Sequence, residues 1–402
     1  MHIFLEHVIP FLVAFSVSVV LCGLLVATRH LHVEKTTRGK DLSAVQAMHE
    51  VPAPRIAGLC IFAGIVLAVV MVSPNAARAP ALLLLLSAAP AFLAGLVEDL
   101  GGRVSVRGRL ASAAVSALAA ILLLEIWIPP FHLPGLDVLT GIAPFAIGLT
   151  VLWSAGVCHA FNLIDGVNGL SGATGVLIAT ALTAIAITSG AAHLAPLAVI
   201  TAAALVGFLL FNWPSGLIFM GDAGAYAIGH VLVWMAILLA WQDPSLSPIA
   251  LSLLFFWPVA DTFLAIWRRF ARGAAMGQPD KLHFHQLVMR AILVSFRDMP
   301  LRRANALTAV CILPFSGMPV LAGFMLSQQP GMALMAWVVF GLLFTSTYLV
   351  GMWFFRHMAR RRRRGGRHAP VSGPAVLGEI EQDEPVDTDR AASRSLDMNR
   401  SV

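Results

Sequence analysis

Four acids stand against the grain of a 402-residue chain that is 58% hydrophobic and only 12% charged: Glu98 and Asp99 in "VEDLGGR", Asp165 in "NLIDGVNGLSG", and Asp222 in "FMGDAG". Each sits at the end of an apolar run, beside glycine or asparagine. Carboxylates gathered with carboxamide oxygens, here Asn162 and Asn168, suit a hard divalent ion. Mg2+ in particular is usually held by one or two carboxylates and completed by substrate phosphates. The glycines of "DGVNG" and "GDAG" let backbone approach a phosphate closely. His283 and His285 alternate in "PDKLHFHQL" near basic residues and read as holders of phosphate oxygens, although histidines at a membrane boundary need no ligand. The chemistry implied is phosphate chemistry.

The elements that position these groups are set by hydropathy. A soluble protein carries about a quarter charged residues, so this composition places the chain in lipid. Apolar runs at 8–27, 56–73, 80–97, 109–128, 143–160, 172–189, 193–211, 225–241, 247–267, 304–326 and 332–355 each approach the ~20 residues that a helix needs to cross a bilayer. The expected fold is an all-α, polytopic membrane protein of about eleven transmembrane helices. Residues 1–355 form the membrane domain, and 356–402 form a basic anchor followed by a disordered tail. No Lys or Arg precedes Arg29, so the first run reads as a retained helix rather than a removable signal. Cys22, Cys60, Cys158 and Cys311 lack metal-ligand spacing and read as small apolar side chains.

Basic residues orient the chain. Arg29, Lys35, Arg38, Lys40 and Arg55 follow the first run, Arg103, Arg107 and Arg109 lie in the third loop, and "RHMARRRRRGGRH" follows the last run. Eleven crossings then put the N-terminus outside and the C-terminus in the cytoplasm. The net charge of +6 is concentrated beside helix ends, where it meets anionic headgroups, so the reading is a lipid bilayer and no nucleic acid. With that topology every acid named above faces the cytoplasm. Acids near a membrane can also mark an ion path, but a transporter predicts repeats and polar groups near mid-membrane, and neither is visible here.

Six motifs in order, "HEVPAPRIAGLCIF", "AGLVEDL", "FNLIDGVNGLSG", "FNWPSGLIFMGDAGAYAIG", "PVADTFLAIWRR" and "PDKLHFHQL", give the region from His49 to Leu287 a resemblance to the polyprenyl-phosphate N-acetylhexosamine-1-phosphate transferases. That family includes the phospho-N-acetylmuramoyl-pentapeptide transferase of peptidoglycan synthesis. The resemblance implies transfer of a sugar 1-phosphate from a UDP-sugar to undecaprenyl phosphate, with release of UMP, at the cytoplasmic face of a bacterial inner membrane. It implies Mg2+, with Mn2+ as the alternative ion, held by Asp222 and Asp165. It makes Asp99, Glu98, Asp165 and Asp222 the catalytic set, with Asp99 taking a proton from the lipid phosphate or organising the metal. Substrate contacts fall to His49, Asn162, Asn168, Asn212, His283, His285, Arg103 and Arg107, and Phe219 is the aromatic on which uracil stacks.

Three departures bear on that reading. The usual Asp-Asp pair is Glu98-Asp99, the last histidine of the usual His-x-His-His is Gln286, and the choice among Arg103, Arg107 and Arg109 is open. Absence of a three-histidine run favours an N-acetylhexosamine donor, N-acetylglucosamine or a 6-deoxy relative for an O-antigen-like polysaccharide, over muramoyl-pentapeptide. A homodimer is the oligomeric expectation by analogy. Asp261 reads as a buried partner that orients a neighbouring helix or base.

Overall fold

The computed structural model describes residues 8–31, 53–73, 75–271, 273, 282–296 and 298–364. Among these residues all regular structure is helical, in the order α1 (Ile9–Ala27), α2 (Ala57–Val72), α3 (Asn75–Ser87), α4 (Ala89–Asp99), α5 (Val106–Leu124), α6 (Leu136–Thr140), α7 (Ala143–Ile164), α8 (Leu170–Thr188), α9 (Ala195–Asn212), α10 (Gly221–Gln242), α11 (Pro248–Leu253), α12 (Phe256–Ala271), α13 (Phe284–Ser295), α14 (Leu301–Met325) and α15 (Pro330–Arg364). The helix of α15 continues through the arginine run to Arg364. His49 and the tail from 365 to 402 lie outside the described residues.

Each of the eleven apolar runs is helical, but they are not equal. Eight of these helices are long and apolar enough to cross a bilayer, and α3 with α4, bent by 47°, makes a ninth if taken as one span. α2 is shorter, at 16 residues. The run 247–267 is broken between α11 and α12, and α12 is two-faced: Asp261 and Arg268 are buried while Phe263, Trp267 and Phe270 are exposed. A continuous apolar count missed that break because hydropathy averages over the two faces.

α10 is the axis of the molecule, buried without interruption from Gly221 to Ala240. It packs against α2, α4, α7 and α8. Lipid tails are as apolar as leucine, so membrane helices associate through close contact of small residues rather than by escaping water. The crossing of α2 and α10 shows the cause: a Cβ on Gly58 would fall 2.3 Å from the Gly224 Cα. The outer helices α1, α14 and α15 instead expose Leu24, Leu321 and Leu342, which suits a lipid-facing rim.

The bend between α3 and α4 aims the next helix. Pro90 lies in the first turn of α4, where its missing N–H costs nothing. The Ser87 hydroxyl donates to the Leu84 carbonyl at 2.7 Å, so its oxygen accepts from His230 Nε2 of α10 at 2.8 Å. This polar lock in an apolar surround fixes the end of α3, where the chain bends into α4, against α10. Nine residues beyond Pro90, α4 delivers Asp99 to the start of that same helix.

Candidate active site

The N-terminus of α10 is where the sequence motifs converge. A helix start leaves backbone N–H groups without intrahelical partners and carries partial positive charge, which attracts carboxylates. Here two other elements supply them. Asp99, at the end of α4, accepts the Asp222 N–H on Oδ1 and the Ala223 N–H on Oδ2, both at 2.9 Å. Asp165, just after α7, accepts the Gly221 N–H on Oδ2 at 3.1 Å and the Ser171 hydroxyl on Oδ1. Burial pushes the Asp165 carboxyl up to about 7, against the pull of the Ser171 hydrogen bond and the Arg55 charge.

Asp222 is turned the other way. Asn162, one turn from the end of α7, donates Nδ2 to its Oδ1 at 2.7 Å, and Arg109 of α5 approaches its Oδ2 at 3.7 Å. Arg109 also pairs with Glu98 Oε1 at 3.2 Å. One guanidinium therefore spans two of the four acids. Arg103 and Arg107 lie exposed on the same segment and Arg109 is half-buried, so the structure draws the third arginine into the cluster. The reason is helical register: Ser105 caps α5, its side chain accepting from the Gly108 N–H, and the residue that follows Gly108 faces Glu98.

The expectation that "GDAG" opens its backbone to a phosphate is corrected here. Gly221 has φ +74°, and a Cβ there would fall 1.9 Å from the Arg55 carbonyl oxygen. The glycine serves close approach of the chain entering α2. Its N–H and the two that follow are taken by Asp165 and Asp99.

The "DGVNG" turn is held from three sides. The Asn168 N–H donates to Asn305 Oδ1 of α14 at 2.7 Å, and Asn168 Nδ2 donates to the Pro214 carbonyl at 3.1 Å. The Gly169 N–H donates to Asn212 Oδ1 at 2.6 Å, while Asn212 Nδ2 donates to the Ile218 carbonyl at 2.8 Å. Asn212 thus ties the turn to the loop that leads into Asp222. Phe219 lies in that loop with its ring almost wholly covered at 6% exposure, and its N–H donates to the Pro54 carbonyl at 2.8 Å.

The histidine motif is anchored from α12. Fully buried Asp261 accepts the Phe284 N–H on Oδ1 at 3.0 Å, and its Oδ2 faces Nδ1 of His283 at 3.5 Å and of His285 at 3.2 Å. The two rings stack, with centroids 5.4 Å apart. Asp261 is the orienting partner that its position inside α12 predicts. Gln286 closes a capping box with His283, the N-cap of α13, accepting the His283 N–H on Oε1 at 3.3 Å. That structural task needs an acceptor, which an amide offers at any pH. Ile164, Val167 and Leu170 pack in one apolar cluster with Leu282, Phe284 and Leu287, so the histidines stand beside the "DGVNG" turn.

Among the described residues no group of three or more His, Cys, Asp or Glu is disposed to hold a metal by itself. The donor set instead fits an ion completed by phosphate oxygens, with Asp222 as the acid whose carboxylate faces away from its helix start. Reading the sequence missed Ser171 and Asn305. Asn305 left a signal, a lone carboxamide at the start of the apolar run of α14; Ser171 left none, because serine is unremarkable after a glycine turn.

Residues 81–240 match the model of glycosyl transferase family 4. The chain is 27% identical over 288 residues to a protein of Bacillus subtilis named "Probable undecaprenyl-phosphate N-acetylglucosaminyl 1-phosphate transferase", covering 71% of this chain and 78% of that one. It is 27% identical over 346 residues to the undecaprenyl-phosphate alpha-N-acetylglucosaminyl 1-phosphate transferase of Salmonella typhi, covering 80% and 88%. It is 28% identical over 275 residues to the decaprenyl-phosphate N-acetylglucosaminephosphotransferase of Mycobacterium tuberculosis, covering 60% and 67%. All four acids fall within the matched segment, and His283, His285 and Asn305 fall beyond it.

Proposed function

We propose that this chain, whose residues 81–240 match the model of glycosyl transferase family 4, transfers an N-acetylhexosamine 1-phosphate from a UDP-sugar to undecaprenyl phosphate, releasing UMP and leaving a polyprenyl diphosphate sugar in the membrane. The observation that carries this reading is the Asp222 carboxylate, presented at the start of α10 between Asn162 and Arg109. Relatives named as N-acetylglucosaminyl 1-phosphate transferases support the donor class and favour it over muramoyl-pentapeptide. N-acetylglucosamine is the first donor to test, and initiation of an O-antigen-like polysaccharide is the pathway it implies.

The reaction brings one anion against another, so charge neutralisation and in-line positioning are what the protein must supply. Mg2+ held by Asp222, with Asp165 beside it, would neutralise diphosphate charge when bound. Arg109 adds fixed positive charge on the side of Glu98 and Asp222. Asp99 and Asp165 act by fixing the start of α10 so that the Asp222 carboxylate keeps its direction. His283 and His285, held by Asp261, supply donors to phosphate oxygens of the nucleotide, and Asn168 and Asn212 shape the adjoining turn. An aromatic at Phe219 can stack uracil once its cover moves.

The topology we infer is eleven crossings, an outside N-terminus and a cytoplasmic C-terminus, in a bacterial inner membrane with the site facing the cytoplasm. A short α2 and a broken α11–α12 pair would complete the eleven. A homodimer completes the proposal.

UMP release by the purified protein in lipid nanodiscs, with undecaprenyl phosphate and a panel of UDP-amino sugars, each with Mg2+ or with EDTA, tests the function. Lipid- and metal-dependent UMP from one donor is the expected result, and Asp222→Ala should abolish it without loss of folded protein. Turnover that survives EDTA and Asp222→Ala would sink the metal assignment.

A further inference from the structure

The start of α14 holds two segments of the site at once. Asn305 is fully buried there, and its Oδ1 accepts the Asn168 N–H at 2.7 Å. The next residue, Ala306, accepts the Trp213 Nε1–H on its carbonyl at 3.3 Å. Trp213 in turn lies over Gly169, where φ is +83° and a Cβ would fall 2.8 Å from the indole Cδ1. Consecutive residues of one helix therefore grip the "DGVNG" turn and the loop that leads into Asp222. α14 also packs against α13, which begins at the histidine motif. The same helix meets both halves of the site, the turn after α7 and the arm that carries His283 and His285.

What this grip controls is the Asn168 carboxamide. Its Nδ2 donates to the Pro214 carbonyl at 3.1 Å, and because a carbonyl can only accept, that bond settles which end of the amide is nitrogen. Gly216, at φ +61°, closes on the same group: a Cβ there would fall 2.8 Å from both Nδ2 and Oδ1. The residue is buried, and its Oδ1 accepts no hydrogen bond among the described residues. A buried acceptor that lacks a donor is costly to maintain, and a ligand that brings an N–H or O–H relieves the cost. A UDP-sugar carries such groups on its base, its ribose and its acetamide. The carboxamide can meet one only while its main chain is held in place, and Asn305 supplies that hold.

We propose that Asn305 is a positioning residue for donor binding. Acting through the Asn168 main chain, it holds the Asn168 carboxamide where Oδ1 receives an N–H or O–H of the UDP-sugar, and it keeps that turn in register with the histidine arm on α13. This rests on the transferase reading above. The task differs from that of the acids. Asp99 and Asp165 fix the start of α10 by accepting its first N–H groups, whereas Asn305 fixes the turn that Asn212 ties to the loop before it. Loss of the Asn305 acceptor therefore weakens capture of the donor while the Asp222 carboxylate keeps its direction. The lipid acceptor brings no base, ribose or acetamide, so its own binding is spared.

The test is a kinetic comparison in nanodiscs of wild type, Asn305→Asp, Asn305→Leu and Asn305→Ala, each with and without Asn168→Ala. Asp keeps an acceptor oxygen at the same reach, and Leu fills a similar volume without one. The expected result is a donor KM about tenfold higher in Asn305→Leu and Asn305→Ala, as loss of an acceptor from a buried N–H gives, with kcat and lipid KM within about twofold of wild type. Asn305→Asp should restore the donor KM. In the Asn168→Ala background the Asn305 changes should raise it no further, because residues that act as one unit are not additive. Thermal melts run in parallel, and assays below the lowest melting temperature keep every variant in the comparison. Additive effects, or a donor KM that Leu restores and Asp does not, overturn the proposal while leaving the transferase reading intact. A wild type that releases no UMP with any donor overturns the reading itself and the role of Asn305 with it.

Discussion

Asp99 and Asp222 are joined through the backbone, not through their side chains: the Asp99 carboxylate holds the N–H groups of Asp222 and Ala223, each at 2.9 Å, and the Asp222 carboxylate points elsewhere. The two acids therefore divide the work. One fixes the helix start and the other faces the chemistry, which makes their substitutions separable.

Asp99→Ala removes both acceptors and leaves two buried N–H groups unmet. The expected cost is about 2 kcal/mol or more of stability, with kcat falling alongside. Asp99→Asn retains one acceptor oxygen and should fall between. Melting in detergent and UMP release on the same samples would tell the two roles apart: an Asp99→Ala protein of native melting temperature with no turnover would assign Asp99 to the chemistry instead.

Gly221→Ala should damage the protein more than its size suggests. The added Cβ meets the Arg55 carbonyl at 1.9 Å, and φ +74° is strained for any side chain. Gly148→Ala, with nothing within 4 Å, is the matched control and should be silent. The readout is the melting temperature and yield of folded protein; equal behaviour of the two variants would show that the chain entering α2 can yield.

Arg109→Gln should lower kcat by about 10²-fold, as loss of a fixed positive charge beside developing negative charge does. Arg103→Gln and Arg107→Gln leave exposed positions and should change kcat less than about twofold, with any effect screened by salt. Initial rates at low and high ionic strength decide this. A larger loss at Arg103 or Arg107 than at Arg109 would show that bound substrate recruits the loop.

Asp261→Asn should act through the histidines. It keeps one acceptor for the Phe284 N–H but loses the charge that faces His283 and His285, so donor KM should rise about tenfold while kcat changes less. Titration of the donor at saturating lipid measures it. An unchanged donor KM with a lowered melting temperature would confine Asp261 to the packing of α12 on α13.

Membrane placement and the four acids could be read from the chain because both are properties of neighbours in sequence. Leu, Val and Ala runs of spanning length need no partner to be recognised, and "DGVNG" or "MGDAG" announces a polar turn by composition alone. The break within 247–267 could not be read, because Asp261 and Arg268 are tolerable only where a second element buries and pairs them. Gln286 looked like a lost histidine until its side chain was seen closing the start of α13.

The sequence by itself determined an all-helical membrane protein with acids and carboxamides at helix ends, since hydropathy and turn chemistry act over a few residues. Only the tertiary structure decided which acid serves which task. Asp99 and Ala223 are 124 positions apart in the chain and meet because Gly58 and Gly95 let α2 and α4 press against α10. The bond from Asn168 to Asn305 spans 137 positions. Such distances are set by the packing of whole helices, which no local pattern encodes.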